Sequence, residues 1–171
     1  MPMKSRGFST IELVIIMILL GILSVVAATQ LGKYYGGIKQ ENATMKIASD
    51  IRYAQNRATT TQQRSQVNFA AGGINYTINA CANYTSSTCT CATWSPVKTI
   101  DLSSDFSGVT IATIPGNCIE FDSLGRTYYN AGCANPAVAC TSSAGSTVTV
   151  QYSGETDKTI TIATQTGMVS Y

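Results

Sequence analysis

The sequence contains no histidine, and only 12% of its residues are charged while 44% are hydrophobic. The missing imidazole removes the commonest general base, the commonest zinc ligand and the middle residue of a Ser-His-Asp triad. So few charges also exclude a long acidic or basic disordered chain. The formal net charge of +2 is too small to suggest nucleic acid by itself. We therefore expect no enzyme, and no metal, cofactor or small-molecule substrate.

Cysteine is absent from the first 80 residues, but six follow: Cys81, Cys89, Cys91, Cys118, Cys133 and Cys140. This usage predicts disulfides in an oxidising compartment. Pairings of Cys81 with Cys89 or Cys91, and of Cys133 with Cys140 or Cys118, would close the loops Ala80–Trp94 and Asn130–Ser146. The sequence leaves the choice open. Zinc or redox chemistry at Cys89-x-Cys91 is the alternative, disfavoured because there is no histidine and no paired CxxC motif.

One long apolar segment lies near the N-terminus, where Leu13–Gly32 carries no charge. As a helix, these 20 residues would reach about 30 Å, the thickness of a bilayer's hydrocarbon core. Lys4 and Arg6 favour a cytoplasmic start, so the cysteines are expected outside. A signal peptide cleaved at Val26-Ala27-Ala28, or a plain anchor, would also be apolar. Neither of these explains Glu12, since an acidic residue at the end of a span is unfavourable without a partner.

The residues from Lys4 to Leu13, KSRGFSTIEL, contain a basic leader, then Gly7-Phe8, then Glu12, and the apolar run follows directly. It resembles the N-terminal signature of type IV pilins and type II secretion pseudopilins. The resemblance implies cleavage between Gly7 and Phe8 by prepilin peptidase, N-methylation of Phe8, and an assembly role for Glu12 with Phe8. It also implies other pilin or pseudopilin subunits, the inner membrane and its assembly platform as partners. The protein would start in the bacterial inner membrane and end in a periplasmic or cell-surface filament.

The chemistry of Glu12 agrees with that role, because a carboxylate in hydrocarbon needs a cation and a neighbour's Phe8 amine can supply it. An unpaired member of such a buried pair is costly, so the pair favours one assembly register. The sequence departs from many pilins at Ala27-Ala28-Thr29-Gln30, where they carry a proline. Any helix melting that depends on this proline is not expected here.

The sequence predicts an α+β fold with a leader at 1–7, a long helix at 8–64 and an antiparallel β domain at 65–171. Helical spacing continues through Ile38, Ile47 and Ile51, and no proline occurs from Met3 to Val67. About 13–32 would span the membrane, and the rest would pack on the β domain. The predicted strands are Val67–Phe69, Ile74–Ile78, Val97–Leu102, Val109–Ile114, Cys118–Phe121, Thr127–Tyr129, Val148–Tyr152, Thr159–Ile162 and Met168–Tyr171.

Three loose motifs are similar to those of GspH/FimT-type minor pilins: Arg52–Ala58 leading into Gln66–Phe69, Cys118–Arg126, and the closing Thr159–Val169 hairpin. A minor type IV pilin that helps initiate or tip a filament is therefore the first hypothesis. A type II secretion minor pseudopilin or a major pilin is the alternative.

A DNA-uptake pilin is the alternative of another class. The β domain from Ser65 onward has three basic and six acidic side chains, so DNA is not expected as a partner. The second half of the predicted helix is basic instead, with six basic and two acidic residues from Lys33 to Arg64. A solvated face, or contact with anionic lipid or acidic neighbouring subunits, would account for these basic residues.

Overall fold

One long helix precedes all the strands in the part of the chain that the structure describes. The computed structural model describes residues 9–70, 72–85, 90–112, 117–128, 146–163 and 166–171. Helix α1, Thr10–Thr61, has 52 residues and is about 78 Å long at 1.5 Å per residue. It follows Ser9, whose backbone is extended, and it ends at Gln62, which takes the left-handed conformation with φ 55°. It lies within the predicted 8–64 range and has no proline to interrupt it.

Nine strands follow the helix in the described residues, and every pairing between them is antiparallel. They are β1 Ser65–Phe69, β2 Asn75–Thr85, β3 Thr90–Asp101, β4 Val109–Ile111, β5 Cys118–Phe121, β6 Thr127–Tyr128, β7 Ser146–Tyr152, β8 Lys158–Ile162 and β9 Val169–Ser170. One sheet has the order β3-β2-β1-β5-β6 and the other has the order β4-β7-β8-β9. The predicted α+β class with a helix on an antiparallel β domain is confirmed.

The two sheets are joined at both ends. The backbone N–H of Ile111 in β4 donates to the carbonyl of Gly73, before β2, over 3.1 Å. At the opposite edges, the Thr127 hydroxyl of β6 donates to the carbonyl of Ala163, after β8, over 3.2 Å. Helix α1 contacts strands of both sheets. It therefore fixes both sheets in one unit.

The hydrophobic core lies between the second half of α1 and the inner faces of both sheets. The helix buries a stripe of Ala43, Ile47, Ile51, Ala54 and Ala58 at three- and four-residue steps, which is the spacing of one helix face. Across it lie β-branched and aromatic side chains at alternate strand positions: Val67, Phe69, Ile78, Ile119, Phe121, Val148, Val150, Ile160 and Ile162. Burial of these side chains, each worth about 1.5–3 kcal/mol, is the main stabilising contribution.

The helix lies close to Tyr152, at the end of β7, at Gly36. A Cβ at this position would collide with the ring of Tyr152, and a Cβ at Gly108 would lie 3.0 Å from the other side of the same ring. Glycine at both positions leaves room for Tyr152, which packs against the core. This contact holds the β7–β8 turn beside the start of the buried part of α1.

One sequence expectation was wrong. The predicted loop Ala80–Trp94 is largely strand, because β2 continues to Thr85 and β3 begins at Thr90. The two strands stay paired through register shifts at Ile78/Asn79, Cys81/Asn83 and Asn83/Tyr84. Such bulges break the strict alternation of side chains. The sequence pattern of a strand is therefore weak over this stretch.

A disulfide joins β2 and β3 at Cys81–Cys91, one of the pairings that the sequence left open for Cys81. Cys118 in β5 is fully buried and is also disulfide-bonded. Cys89, Cys133 and Cys140 lie outside the described residues. The predicted fold with disulfides is thus confirmed, while the connectivity beyond Cys81–Cys91 stays a prediction.

Candidate assembly site

The first part of α1 is an apolar rod without any covering from the rest of the chain. Thr10–Ala28 is long and apolar enough to cross a membrane, and no part of it is buried. Its single hydroxyl beyond the first turn, that of Ser24, donates to the carbonyl of Leu20 over 2.7 Å and is satisfied within the helix. Uncovered apolar side chains of this size require lipid or another apolar surface around them.

Glu12 lies in the first turn of this rod, where its backbone N–H donates to the carbonyl of Ser9 over 3.1 Å. Its side chain is exposed and forms no ion pair or hydrogen bond with any residue that the structure describes. Any partner for this carboxylate therefore lies outside the described residues. Gly7 and Phe8, the predicted cleavage and methylation residues, also lie outside them.

Farther along α1, Asp50 is a buried carboxylate that ties the helix to the first sheet. Its Oδ2 accepts from Lys46 Nζ and from the Tyr76 hydroxyl, both over 2.8 Å, and its Oδ1 accepts from Lys98 Nζ over 3.1 Å. Burial raises the pKa of Asp50, but the hydrogen bonds from Lys46, Tyr76 and Lys98 outweigh burial and leave the pKa below its ordinary value. Burial, together with the hydrogen bond to Asp50, raises the pKa of Tyr76.

We expect Asp50→Asn to destabilise the fold at neutral pH by about 1–3 kcal/mol, since hydrogen bonds to a charged group lose strength. Because the folded pKa of Asp50 is lowered, its stabilisation is present above the ordinary carboxylate pKa and is lost as the pH falls through the folded value. The difference between wild type and variant should therefore shrink below about pH 4. Urea unfolding in detergent across this range measures it, and a difference independent of pH would contradict the ionised role.

On the opposite flank, Gln55 joins α1 to two turns at once. Its Nε2 donates to the carbonyls of Gly125 and Thr166, both over 2.9 Å. The turns themselves meet there, because a Cβ at Gly167 would collide with the Gly125 carbonyl. Nearby, Arg52 donates to the carbonyl of Val169 over 2.9 Å and lies over the Tyr171 ring at 5.4 Å. These contacts hold the sheet edges at β6 and β9 against the helix.

Two further contacts fix the ends of the buried helix segment. Gln40 Nε2 donates to the carbonyls of Val150 and Thr156 over 2.9 and 3.0 Å. Beyond the helix, Arg64 Nη1 forms a 3.1 Å ion pair with Glu120 of β5, and both side chains are largely buried. Burial raises the pKa of Glu120, and the Arg64 charge only partly opposes this. The globular domain is thus attached along the whole second half of α1.

Sequence reasoning missed these polar contacts. Asp50 is one of the two acidic residues between Lys33 and Arg64, and nothing in the sequence distinguishes Gln40 or Gln55 as a contact residue. The only sequence signal for such a contact is a polar residue in an otherwise apolar helical stripe. This signal does not indicate which residue is the partner. The structure also shows carboxylate partners for two of the basic side chains between Lys33 and Arg64. Lys46 pairs with Asp50, and Arg64 pairs with Glu120.

No protein-family model and no curated protein sequence matches the chain. Among solved structures, the type IV minor pilin FimU of Pseudomonas aeruginosa matches with a TM-score of 0.50 and 14% identity, covering 76% of this chain and 85% of that chain. The minor pseudopilin EpsH from the type 2 secretion system of Vibrio cholerae matches with a TM-score of 0.51 and 9% identity, covering 77% and 94%. This chain has the type IV pilin fold. The resemblance seen in its N-terminal sequence is confirmed at the level of the fold.

In this pilin fold, the first part of α1 is an uncovered apolar rod, and the second part is packed against the β domain. The two structural neighbours are a minor pilin and a minor pseudopilin. Among the residues that the structure describes, no group of three His, Cys, Asp or Glu side chains could hold a metal ion. The features that stand out in this fold are the uncovered apolar rod, with Glu12 in its first turn, and the exposed faces of the β domain.

Proposed function

We propose that the protein is a minor type IV pilin, a membrane-anchored subunit that helps initiate or tip a pilus or pilus-like filament. One observation carries this proposal: α1 is a single helix whose first part, Thr10–Ala28, is entirely uncovered while its second part is fixed into a β domain. Lipid can surround that apolar rod before assembly, and the rods of neighbouring subunits can surround it afterwards. The partners in this proposal are other pilin subunits, prepilin peptidase and the inner-membrane assembly platform.

The mass of the mature N-terminus tests the proposal. We expect the exported chain to begin at Phe8 and to carry one added methyl group. Cleavage after Ala28 would indicate a secreted protein, and an intact Met1 would indicate a plain anchor. Either of those results would overturn the pilin proposal, whereas a methylated Phe8 would support it.

The Glu12→Ala variant should enter the membrane but fail to enter filaments. The substitution removes an unfavourable charge from the apolar segment, so insertion is preserved. It also leaves a neighbour's Phe8 amine without a partner, and breaking a buried ion pair in this way costs about 3–5 kcal/mol. We expect the amount of protein in sheared filaments, relative to the membrane, to fall more than about tenfold.

Ser24→Ala provides the control for that experiment, because Ser24 lies on the same rod and its hydroxyl bonds only within the helix. Immunoblots of filament and membrane fractions measure both variants. Incorporation of Glu12→Ala at the wild-type level would contradict the assembly role of the carboxylate.

A minor pseudopilin of a type II secretion system is the second candidate, favoured by the likeness to EpsH over 94% of that chain. The two candidates make different predictions for a deletion in the native host. Loss of surface pili would support the pilin, and retention of secreted enzymes inside the periplasm would support the pseudopilin. DNA capture is the less supported role, because Lys46, Lys98 and Lys158 already pair with carboxylates of the same chain, which would compete with phosphates for them.

A further inference from the structure

Two exposed tyrosines lie on α1 between the apolar rod and the β domain. Tyr34 is 69% exposed and Tyr35 is 60% exposed, and both directly precede Gly36, where the helix meets the Tyr152 ring of the domain. Tyrosine has an apolar ring and a polar hydroxyl, so it is enriched where the hydrocarbon of a membrane meets water. The two rings are therefore suited to the level at which α1 leaves a bilayer.

The charges in the sequence place the tyrosines at that level. Glu12 and Lys33 enclose the charge-free run Leu13–Gly32, and 20 helical residues match the hydrocarbon thickness of about 30 Å. With the end of this run at the outer boundary, Tyr35 lies about 4.5 Å beyond it and Gly37 about 7.5 Å beyond it. The headgroup layer of one leaflet is about 5–7 Å thick. Tyr35 therefore lies within the headgroups, and Gly37 lies at their outer limit.

Strand β7 runs along α1 toward the rod. The carbonyl of Val150 accepts a hydrogen bond from Gln40, whereas the Tyr152 ring, two residues later in the strand, lies at Gly36, four residues earlier in the helix. The β7–β8 turn at 153–157 follows Tyr152. This turn therefore lies at the end of the β domain nearest the rod.

The β3–β4 loop at 102–108 lies at the same end, because its Ser107 accepts a hydrogen bond from Lys39. We call this loop and the β7–β8 turn the rod-side loops. Their sequences contain no lysine or arginine. They carry three carboxylates that form no ion pair with any described residue: Asp105, Glu155 and Asp157. The Glu155 carboxylate lies beside Gly37, at the outer limit of the headgroup layer.

The sign of these charges selects the kind of headgroup. Anionic lipids attract segments rich in lysine and arginine, so they would repel loops whose charged residues are all acidic. Zwitterionic phosphatidylethanolamine ends in a primary ammonium group, whose N–H groups can donate charge-assisted hydrogen bonds to carboxylates. Phosphatidylcholine has the same net charge but no N–H donor. The rod-side loops therefore fit an ethanolamine headgroup best.

We propose that, before assembly, the β domain lies on the surface of the membrane that holds its rod, with Tyr34 and Tyr35 among the headgroups and the rod-side loops on the ammonium groups of phosphatidylethanolamine. The tyrosines fix the height of the helix, and the carboxylates, which lie to one side of it, fix the orientation of the domain. The contact needs no second subunit. It rests on the membrane anchoring within the proposed function.

Tryptophan quenching in vesicles tests the contact. Trp94 is the only tryptophan of the chain, so Trp94→Phe provides a background for one probe, Ser153→Trp, in the β7–β8 turn. The full chain is reconstituted with a trace of lipid that is spin-labelled on its headgroup. The vesicles contain equal parts of phosphatidylethanolamine and phosphatidylcholine, or phosphatidylcholine alone. We expect quenching at least about twofold stronger with phosphatidylethanolamine, since each exposed charge pair contributes a small factor.

Two other probe positions serve as controls. Met168→Trp lies at the far end of the domain, beside residues 52–55 of α1 and about 22 Å farther along the helix than Gly37. The headgroup label should not quench it. Ile16→Trp lies within the rod. Lipids brominated on their acyl chains should quench this probe in every vesicle, which measures the anchor independently of the loops.

Charge reversal tests the choice of headgroup with exposed residues only. Asp105→Lys with Asp157→Lys changes the charge of the rod-side loops from −3 to +1, with Glu155 unchanged. This variant should lose the preference for phosphatidylethanolamine. It should instead be quenched at least about twofold more in vesicles of equal parts phosphatidylglycerol and phosphatidylcholine than in phosphatidylcholine alone. Asp105→Asn with Asp157→Asn, the matched neutral variant, should weaken the first preference without gaining the second.

The outcomes separate this contact from the proposed function. If Ser153→Trp is quenched no more than Met168→Trp, the domain does not lie on lipid, and a protein partner would be the occupant of the rod-side loops. Equal quenching of Ser153→Trp in all vesicles would overturn the role of the ammonium group. In both cases, quenching of Ile16→Trp would keep the membrane anchor and the filament role. Without quenching of Ile16→Trp, the anchor and the contact would both be wrong.

Discussion

Cells expressing the Gly7→Val variant are expected to contain only the uncleaved chain, held in the inner membrane and missing from filaments. The signature that the N-terminus resembles is cut after glycine, and a branched side chain at Gly7 would occupy the space that a peptidase leaves for a hydrogen atom. The leader Met1–Gly7 would then remain, with Lys4 and Arg6 in the cytoplasm. A retained leader also blocks the Phe8 amine, which is the proposed partner of Glu12 in a neighbour.

The matched control is Gly21→Val in the same apolar segment, where an added Cβ meets nothing within 4 Å. This variant should be cleaved at the wild-type rate, because the substitution lies well inside the span. Pulse-labelling followed by mass measurement of the N-terminal peptide measures both variants. Normal maturation of Gly7→Val would remove the basis for the pilin proposal.

The second large effect is expected at Gly167, where alanine should destabilise the domain by about 2–5 kcal/mol. The residue has φ +63°, which costs an L-residue about 1–2 kcal/mol. A Cβ would also collide with the Gly125 carbonyl and approach Gln55 Nε2 to 2.5 Å. The collision would break the contact that joins the two turns to α1, and overpacking of this kind costs about 1–3 kcal/mol.

Gly154→Ala separates the two causes, because Gly154 has φ +88° but nothing within 4 Å of its Cβ position. This control should lose only the conformational part, about 1–2 kcal/mol. Urea unfolding of the full chain in detergent, followed by far-ultraviolet circular dichroism, gives both values. Equal losses for the two variants would show that the junction at Gln55 contributes nothing to stability.

The N-terminal half of the molecule could be predicted from sequence because its signals are local. A charge-free run after Glu12 and the absence of proline are sufficient for one long apolar helix. Several strands followed in the same way, including Cys118–Phe121, which coincides with β5. Turns and short runs of β-branched residues marked most boundaries of the other strands to within a few residues, but not the end of β2 or the start of β3.

The polar contacts of the candidate site could not be predicted from sequence, because their partners are far apart in the chain. Asp50 is 48 residues from Lys98, and Gln55 is 111 residues from Thr166. No local pattern connects such pairs, since a polar residue in a helix states only that some partner is needed. The extension of β2 beyond Ala80 was missed for a related reason: its bulges and small polar residues remove the alternation by which a strand is recognised.

The attachment of the domain along α1 has a mechanical consequence. The contacts at Gln40, Asp50, Gln55 and Arg64 are spread over the length of the buried segment instead of being gathered at one end. A pull along the helix axis, as when a filament is retracted under load, strains them side by side in shear, so they resist together. A pull across the axis would break them one after another at far lower force. In the proposed filament, these contacts would therefore be loaded together by tension along the filament axis.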